Sequence, residues 1–218
     1  MKLLLTGFEP FGGESVNPAT EVARQLAVQV AKYHPEHEVQ VTILPTAFQA
    51  ATARLQEVVA AFQPDVLVSL GQAGGRTSLT VERVAINLDD ASIPDNAGAQ
   101  PIDEVIEQEG APAYFTTLPV KRLVAASKAA GVPAAVSHTA GTYVCNHIMY
   151  QGLHLARTRY PQMRSGFIHI PYLPVQVVNK PTQPSMAQET MVIGLMAMLN
   201  VLWEQPSSDL KATGGATH

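Results

Sequence analysis

Five short apolar runs, "KLLLTG", "VQVTILP", "DVLVSLG", "PAAVSH" and "GFIHIP", each end at a turn signal, and stretches of helical periodicity separate most of them. Runs of this length suit strands buried on both faces, the kind found in parallel sheets whose crossovers are helices. Asn17 and Pro18 read as an N-cap and first-turn pair for a helix through about Ala31. A second helix is expected over about Ala47 to Phe62, and a third over Pro119 to Ala130 with Gly131 as its stop. Ser185 with Gln188 reads as a capping box ahead of an apolar run to Trp203. Strand alternating with helix predicts an α/β protein, an α/β/α sandwich around a mixed, largely parallel central sheet. The mixed character comes from "TVERVAI", which alternates like a strand and precedes the turn "IPDN"; an added hairpin or antiparallel strand is expected there.

At 218 residues the chain fits one core, so a single domain over residues 1–205 is expected, and the polar, aperiodic 206–218 reads as a flexible tail. A formal charge of −4, with no basic run interleaved with aromatics, excludes nucleic acid as a partner. The longest apolar stretch, "MVIGLMAMLNVLW", has the length of a core helix and falls short of a membrane span. A single cysteine forms no intramolecular disulfide and the leading "MKLLL" is too short for a signal peptide, so a cytosolic protein is expected. The histidines show no metal-ligand spacing with a second cysteine, and neither a metal nor a cofactor is expected.

In such sheets, sites form beyond the carboxyl ends of strands, which directs attention to "TGFEPFGG", "GQAGG", "HTAGTYVC" and His169. Cys145 stands where a helical pattern begins, a place whose unpaired N–H groups favour a thiolate. Buried filler is the competing reading for a lone cysteine. His169 sits in an apolar strand where an imidazole needs a partner: a backbone carbonyl in the bland reading, a nucleophile and a carboxylate in the functional one. Glu82 shares a strand face with Thr80 and Val84, and either pairs with Arg83 or orients an imidazole as the acid of a nucleophilic triad does. The glycine-rich loops lack the spacing of a dinucleotide or P-loop motif. Phe8 and Phe11 suit an apolar slot better than an anion nest, with core packing as the alternative.

Taken together, "LLLTGFEPFGGESVNP", "GQAGGRTSLTVERVAIN", "IPDNAGAQPID", "SHTAGTYVCNHIMY" and "GFIHIPYLP" resemble the pyroglutamyl peptidase I, or pyrrolidone-carboxylate peptidase, family over about residues 1–203. The resemblance implies a cytosolic, metal-free cysteine exopeptidase that removes N-terminal pyroglutamate from peptides through a thioester acyl-enzyme. It also implies Cys145 as nucleophile, His169 as base and Glu82 as orienter. By the same resemblance Phe8 and Phe11 hold the lactam ring, the Gln72 backbone bonds the lactam amide, and Asn17 steadies the pocket loops. A homo-oligomer, a tetramer, is likewise implied. Where the family reads Asp-Ala-Arg-Ile-Pro-Asp-Asn, this chain reads "DASIPDN", with Ser92 replacing the arginine. A catalytically silent pyroglutamyl-peptide binding module on the same fold, and a phosphate- or nucleoside-binding α/β enzyme, stand as rival readings.

Overall fold

The apolar runs fold as strands in the computed structural model, which describes residues 1–206 and 208–215. The chain begins with β1 (Lys2–Phe8), α1 (Pro18–Tyr33), β2 (Glu38–Leu44), α2 (Phe48–Phe62) and β3 (Val66–Gln72). There follow β4 (Leu79–Glu82), β5 (Val84–Ile86), β6 (Ala113–Phe115), α3 (Val120–Ala129), β7 (Ala134–Ser137), α4 (Val144–Thr158), β8 (Arg164–Ile170) and α5 (Gln188–Trp203). A 3₁₀ turn occupies Pro174–Gln176.

The main sheet has the order β2-β1-β3-β8-β4-β7. Its first four strands are parallel, whereas β4 pairs antiparallel with β8 and parallel with β7. The sheet is therefore mixed, as the sequence suggests. The "TVERVAI" run is not one strand, however: it breaks at Arg83, and β5 leaves the main sheet to pair antiparallel with β6.

One sheet face, carrying Leu3, Leu5, Val66, Val68 and Ile168, packs against α1, α3 and α5. The opposite face, carrying Leu4, Leu67 and Phe167, packs against α2 and α4. In α1 the stripe Ala19, Val22, Ala23, Leu26, Val30 recurs at helical spacing and is buried. None of the described helices is long and apolar enough to cross a membrane.

The helix starts divide into local and borrowed caps. Asn17 caps α1 as expected, its Oδ1 accepting from the Ala19 N–H at 3.0 Å. The first residue of α2, Phe48, instead donates its N–H to Asp95 at 2.9 Å, a cap supplied by a distant loop. In α3 the N–H groups of Lys121 and Arg122 donate to the two carboxylate oxygens of Asp209. Residues 208–215, part of the stretch read as a tail, thus reach α3, while residues 207 and 216–218 lie outside the described residues. The Ser185–Gln188 capping box does not form. Helix α5 begins at Gln188 itself, Ser185 bridges Tyr172, and the Gln188 amide donates to Glu21 and Gln25 of α1. A side chain with a tertiary partner is lost to local capping.

Candidate active site

His169 and Glu82 meet because of the antiparallel β4–β8 pairing. Thr80 lies opposite His169, so Glu82, two residues further on, projects from the same face. Its Oε1 accepts from the His169 Nδ1–H at 2.8 Å and from Arg76 Nη1 at 2.6 Å. Arg76 also donates to the Thr80 hydroxyl and, at 3.3 Å, to the Thr139 carbonyl. The partner of Glu82 is therefore Arg76, not the adjacent Arg83. Glu82 is fully buried, and its Oε2 has no hydrogen-bond partner.

Cys145 occupies the first turn of α4, on the same sheet face. The carboxyl-end rule holds for β1, β3 and β8, but β7 runs the other way; Cys145 arrives through residues 138–143 rather than from a strand end. Gly71, the register partner of His169, explains how the thiol comes so close to the sheet. A β-carbon at that position would sit 2.6 Å from the Phe167 ring and 2.9 Å from the Cys145 Sγ. Only the bare backbone of glycine leaves room for both.

A small cleft beside the thiol is lined by Phe8, Phe11, Asn17, Thr46, Gln72, Tyr143, Val144 and Cys145. It gathers every pocket residue singled out from the sequence. Hydrogen bonds hold its first wall: the Phe8 carbonyl accepts from Thr20, and the Glu9 carbonyl accepts from both Asn17 and Thr46. Tyr143 lies between Phe11 and Phe48, with ring centroids 6.1 and 5.4 Å away. Its hydroxyl donates to the Pro94 carbonyl. The loop containing Pro94 is also bound through Thr142 to Asp90 and through Asn96 to Pro10, and Ser92 is exposed on it.

Electrostatics decide the resting protonation. Burial pushes the Cys145 thiol up to about 12, with the Glu82 charge adding to the rise and Arg76 opposing it. At the helix start, where a thiolate is expected to be favoured, desolvation is the largest influence on the thiol and it acts the other way. Burial likewise lowers His169 below the ordinary imidazole range, against the pull of Glu82 and with a further small lowering by Arg76. A neutral ring that donates from Nδ1 carries its lone pair on Nε2. The site therefore offers a thiol and a neutral base, the second ring nitrogen forming no hydrogen bond to a described residue.

Three contributors were not anticipated as site residues. Arg76 stands six residues before Glu82, directly after Gly74 and Gly75, where a charge following two glycines is the available signal. Tyr143 lies in the cysteine motif itself, and Thr46 has no sequence signal. Among the described residues no group of His, Cys, Asp and Glu is arranged to hold a metal ion. A much larger cavity, about 720 Å³, lies elsewhere, between α3, β7 and residues 210–215.

A family model described as pyroglutamyl peptidase matches residues 1–205. Pyrrolidone-carboxylate peptidases of Streptococcus suis and Streptococcus pyogenes are 48% and 50% identical to this chain, each alignment covering 100% of both sequences. The crystal structure of pyroglutamyl peptidase I from Bacillus amyloliquefaciens superposes with a TM-score of 0.91 at 43% identity, covering 97% of this chain and 99% of the other. A mutant pyrrolidone carboxyl peptidase from the hyperthermophile Pyrococcus furiosus gives 0.88 at 38% identity, covering 94% and 99%.

Proposed function

This chain belongs to the pyroglutamyl peptidase family, and from that premise we infer a cysteine exopeptidase that removes N-terminal pyroglutamate using Cys145, His169 and Glu82. The observation that carries the assignment is the His169–Glu82 pair, bonded at 2.8 Å and leaving Nε2 of the imidazole without a bond to a described residue, in a site whose thiol borders an apolar cleft. Pyroglutamate is a flat, uncharged lactam, and the Phe8 and Phe11 walls suit it, with the Gln72 backbone meeting the ring amide and Asn17, bound to the Glu9 carbonyl, steadying the loop.

Attack begins when Nε2 of His169 takes the Sγ proton and the sulfur adds to the carbonyl joining pyroglutamate to the next residue. The Glu82 carboxylate stabilises the resulting imidazolium and fixes its tautomer. Tyr143 supplies no side-chain cap to α4, so first-turn N–H groups beside Cys145 are available to the oxyanion. The imidazolium then protonates the departing amine as the C–N bond breaks. Water, deprotonated by the same ring, cleaves the thioester and restores the thiol. The scheme uses no metal or cofactor.

A reducing compartment keeps an unpaired thiol nucleophile reduced, which favours the cytosol as the site of action. Residues 1–205 form the peptidase unit in this reading. Exposed Val28 and Tyr33 on α1 and Ile193 on α5 supply apolar surface for a homo-oligomer, a tetramer by family resemblance. Release of fluorophore from a pyroglutamyl amide in reductant, lost after iodoacetamide, is the expected result. Binding of that amide without release identifies a silent binding module instead.

A further inference from the structure

Gln176 lies in the 3₁₀ turn after β8 and is nine-tenths buried, and its hydrogen bonds go to Leu173, Gln72, Glu14 and Val16 rather than to the thiol or the imidazole. Its Oε1 accepts from the Leu173 N–H at 3.0 Å. A backbone N–H can only donate, so this bond fixes the orientation of the amide. The other end, Nε2, then faces acceptors: the Gln72 Oε1 at 2.8 Å, the Glu14 Oε2 at 3.2 Å and the Val16 carbonyl at 3.4 Å. Lys180 closes the arrangement by donating to the other oxygen of Glu14.

These contacts add the loop after β1 to the ends of β3 and β8, which the sheet ladder already pairs at Gln72 and Ile170. Gln72 ends β3 and lines the cleft. Glu14 and Val16 lie between Phe11 and Asn17, the two cleft residues of the loop after β1. Leu173 follows the strand that carries His169. A single carboxamide thus ties both loops to the strand end between them.

We propose that Gln176 is a positioning residue for pyroglutamate recognition, its amide holding Gln72 and the 14–16 segment at the spacing the lactam ring requires. This rests on the peptidase reading above and assigns a specificity role outside the reacting groups. Because the chemistry occurs at Cys145, disturbing Gln176 alters substrate binding and leaves the chemical step nearly intact. The effect belongs in KM more than in kcat.

Gln176→Glu is the test, since it preserves shape and the acceptor for Leu173 while replacing the donor with a carboxylate. That carboxylate faces the Glu14 carboxylate, the Gln72 oxygen and the Val16 carbonyl; Lys180 is the one cation nearby, and it is engaged by Glu14. For a pyroglutamyl amide at about pH 8, KM is expected to rise about tenfold or more, with kcat within about threefold of the parent. Lowering the pH toward about 5 protonates the new carboxyl, whose pKa the Glu14 charge raises, and restores a donor. The ratio of variant to parent KM then returns toward one. Gln176→Met, which has no group to titrate, keeps its raised KM ratio at every pH, and a thermal melt verifies that both variants are folded. An unchanged KM in Gln176→Glu, a loss confined to kcat, or a KM ratio indifferent to pH overturns the role. An inert parent removes the peptidase function and this role together, whereas an active parent with an unaltered variant removes the role alone.

Discussion

Two histidine–carboxylate pairs are buried on the same side of the sheet, and only one is assigned to chemistry. His169 donates to Glu82 at 2.8 Å, and His147, in α4, lies 2.7 Å from Asp89 through the same ring nitrogen. Both imidazoles are at least 96% buried, at 4% and 2% exposure, and each carboxylate keeps one oxygen without a partner. They differ at the far nitrogen. In His147, Nε2 is taken up at 2.6 Å by the Thr52 hydroxyl of α2, so the ring ties two helices and a loop together. In His169 the corresponding nitrogen forms no bond to a described residue, and Arg76 shares the carboxylate. A buried carboxylate beside a histidine is therefore not evidence of a base; what the second nitrogen faces decides the matter.

The contrast can be broken by mutation. Cys145→Ala and His169→Ala are expected to lower kcat/KM by ~10⁴-fold or more while the protein still melts cooperatively. Residual turnover near the parent level in either variant removes the proposed mechanism. Glu82→Gln ranks next, with a loss of ~10²-fold or more, because a neutral amide neither stabilises the imidazolium nor enforces its tautomer. Its pH profile carries a sign. The carboxylate raises His169 against the lowering effect of burial, so without it the folded-state pKa drops further and the acid limb of kcat/KM moves to lower pH. A limb that stays in place or moves up argues that Glu82 does not set the base.

His147→Ala is expected to change turnover only a few-fold, yet to cost about 2–4 kcal/mol of stability by leaving the buried Asp89 unpaired. Steady-state kinetics and denaturant titration on one preparation separate these effects. A folded His147→Ala that is as inactive as His169→Ala would make the two pairs equivalent. Ser92→Arg is the one change expected to raise turnover. A cation restored to the loop that Thr142 and Tyr143 hold beside α4 should raise kcat by about threefold to tenfold with little shift in KM, if it reaches the developing oxyanion. An unchanged kcat assigns that loop a purely structural part.

Much of this arrangement was legible because it depends on local pattern. Apolar runs with turn signals mark β1, β2, β3, β7 and β8, and the buried stripe of α1 appears in its spacing. Cys145, His169 and Glu82 each looked out of place in an apolar or small-residue setting. The unreadable features depend on pairs distant in sequence. Nothing near Phe48 announces that Asp95 starts α2, and nothing near Glu82 says that the cation comes from Arg76 rather than Arg83. The break of "TVERVAI" at Arg83 is tertiary too, since β5 finds its partner in β6. Ser185 and Gln188 show the converse: a valid local motif gave way because Gln188 gained contacts on α1. The thiol follows the same logic, as its place at a helix start is local while the desolvation that raises it comes from the assembled site.

The carboxylate that Asp209 lends to α3 bears on where the protein can be cut. The family match stops at residue 205, which makes that position an inviting place to end a shortened version. Such a truncation would strip the acceptors from the Lys121 and Arg122 amides and the Ser208 carbonyl from the Arg122 side chain. Losing a helix cap costs about 1 kcal/mol, which lowers the melting temperature of a protein this size by roughly 2–4 °C. The family match and the stretch that caps α3 therefore end at different residues, and a shortened chain should keep its residues through Asp209.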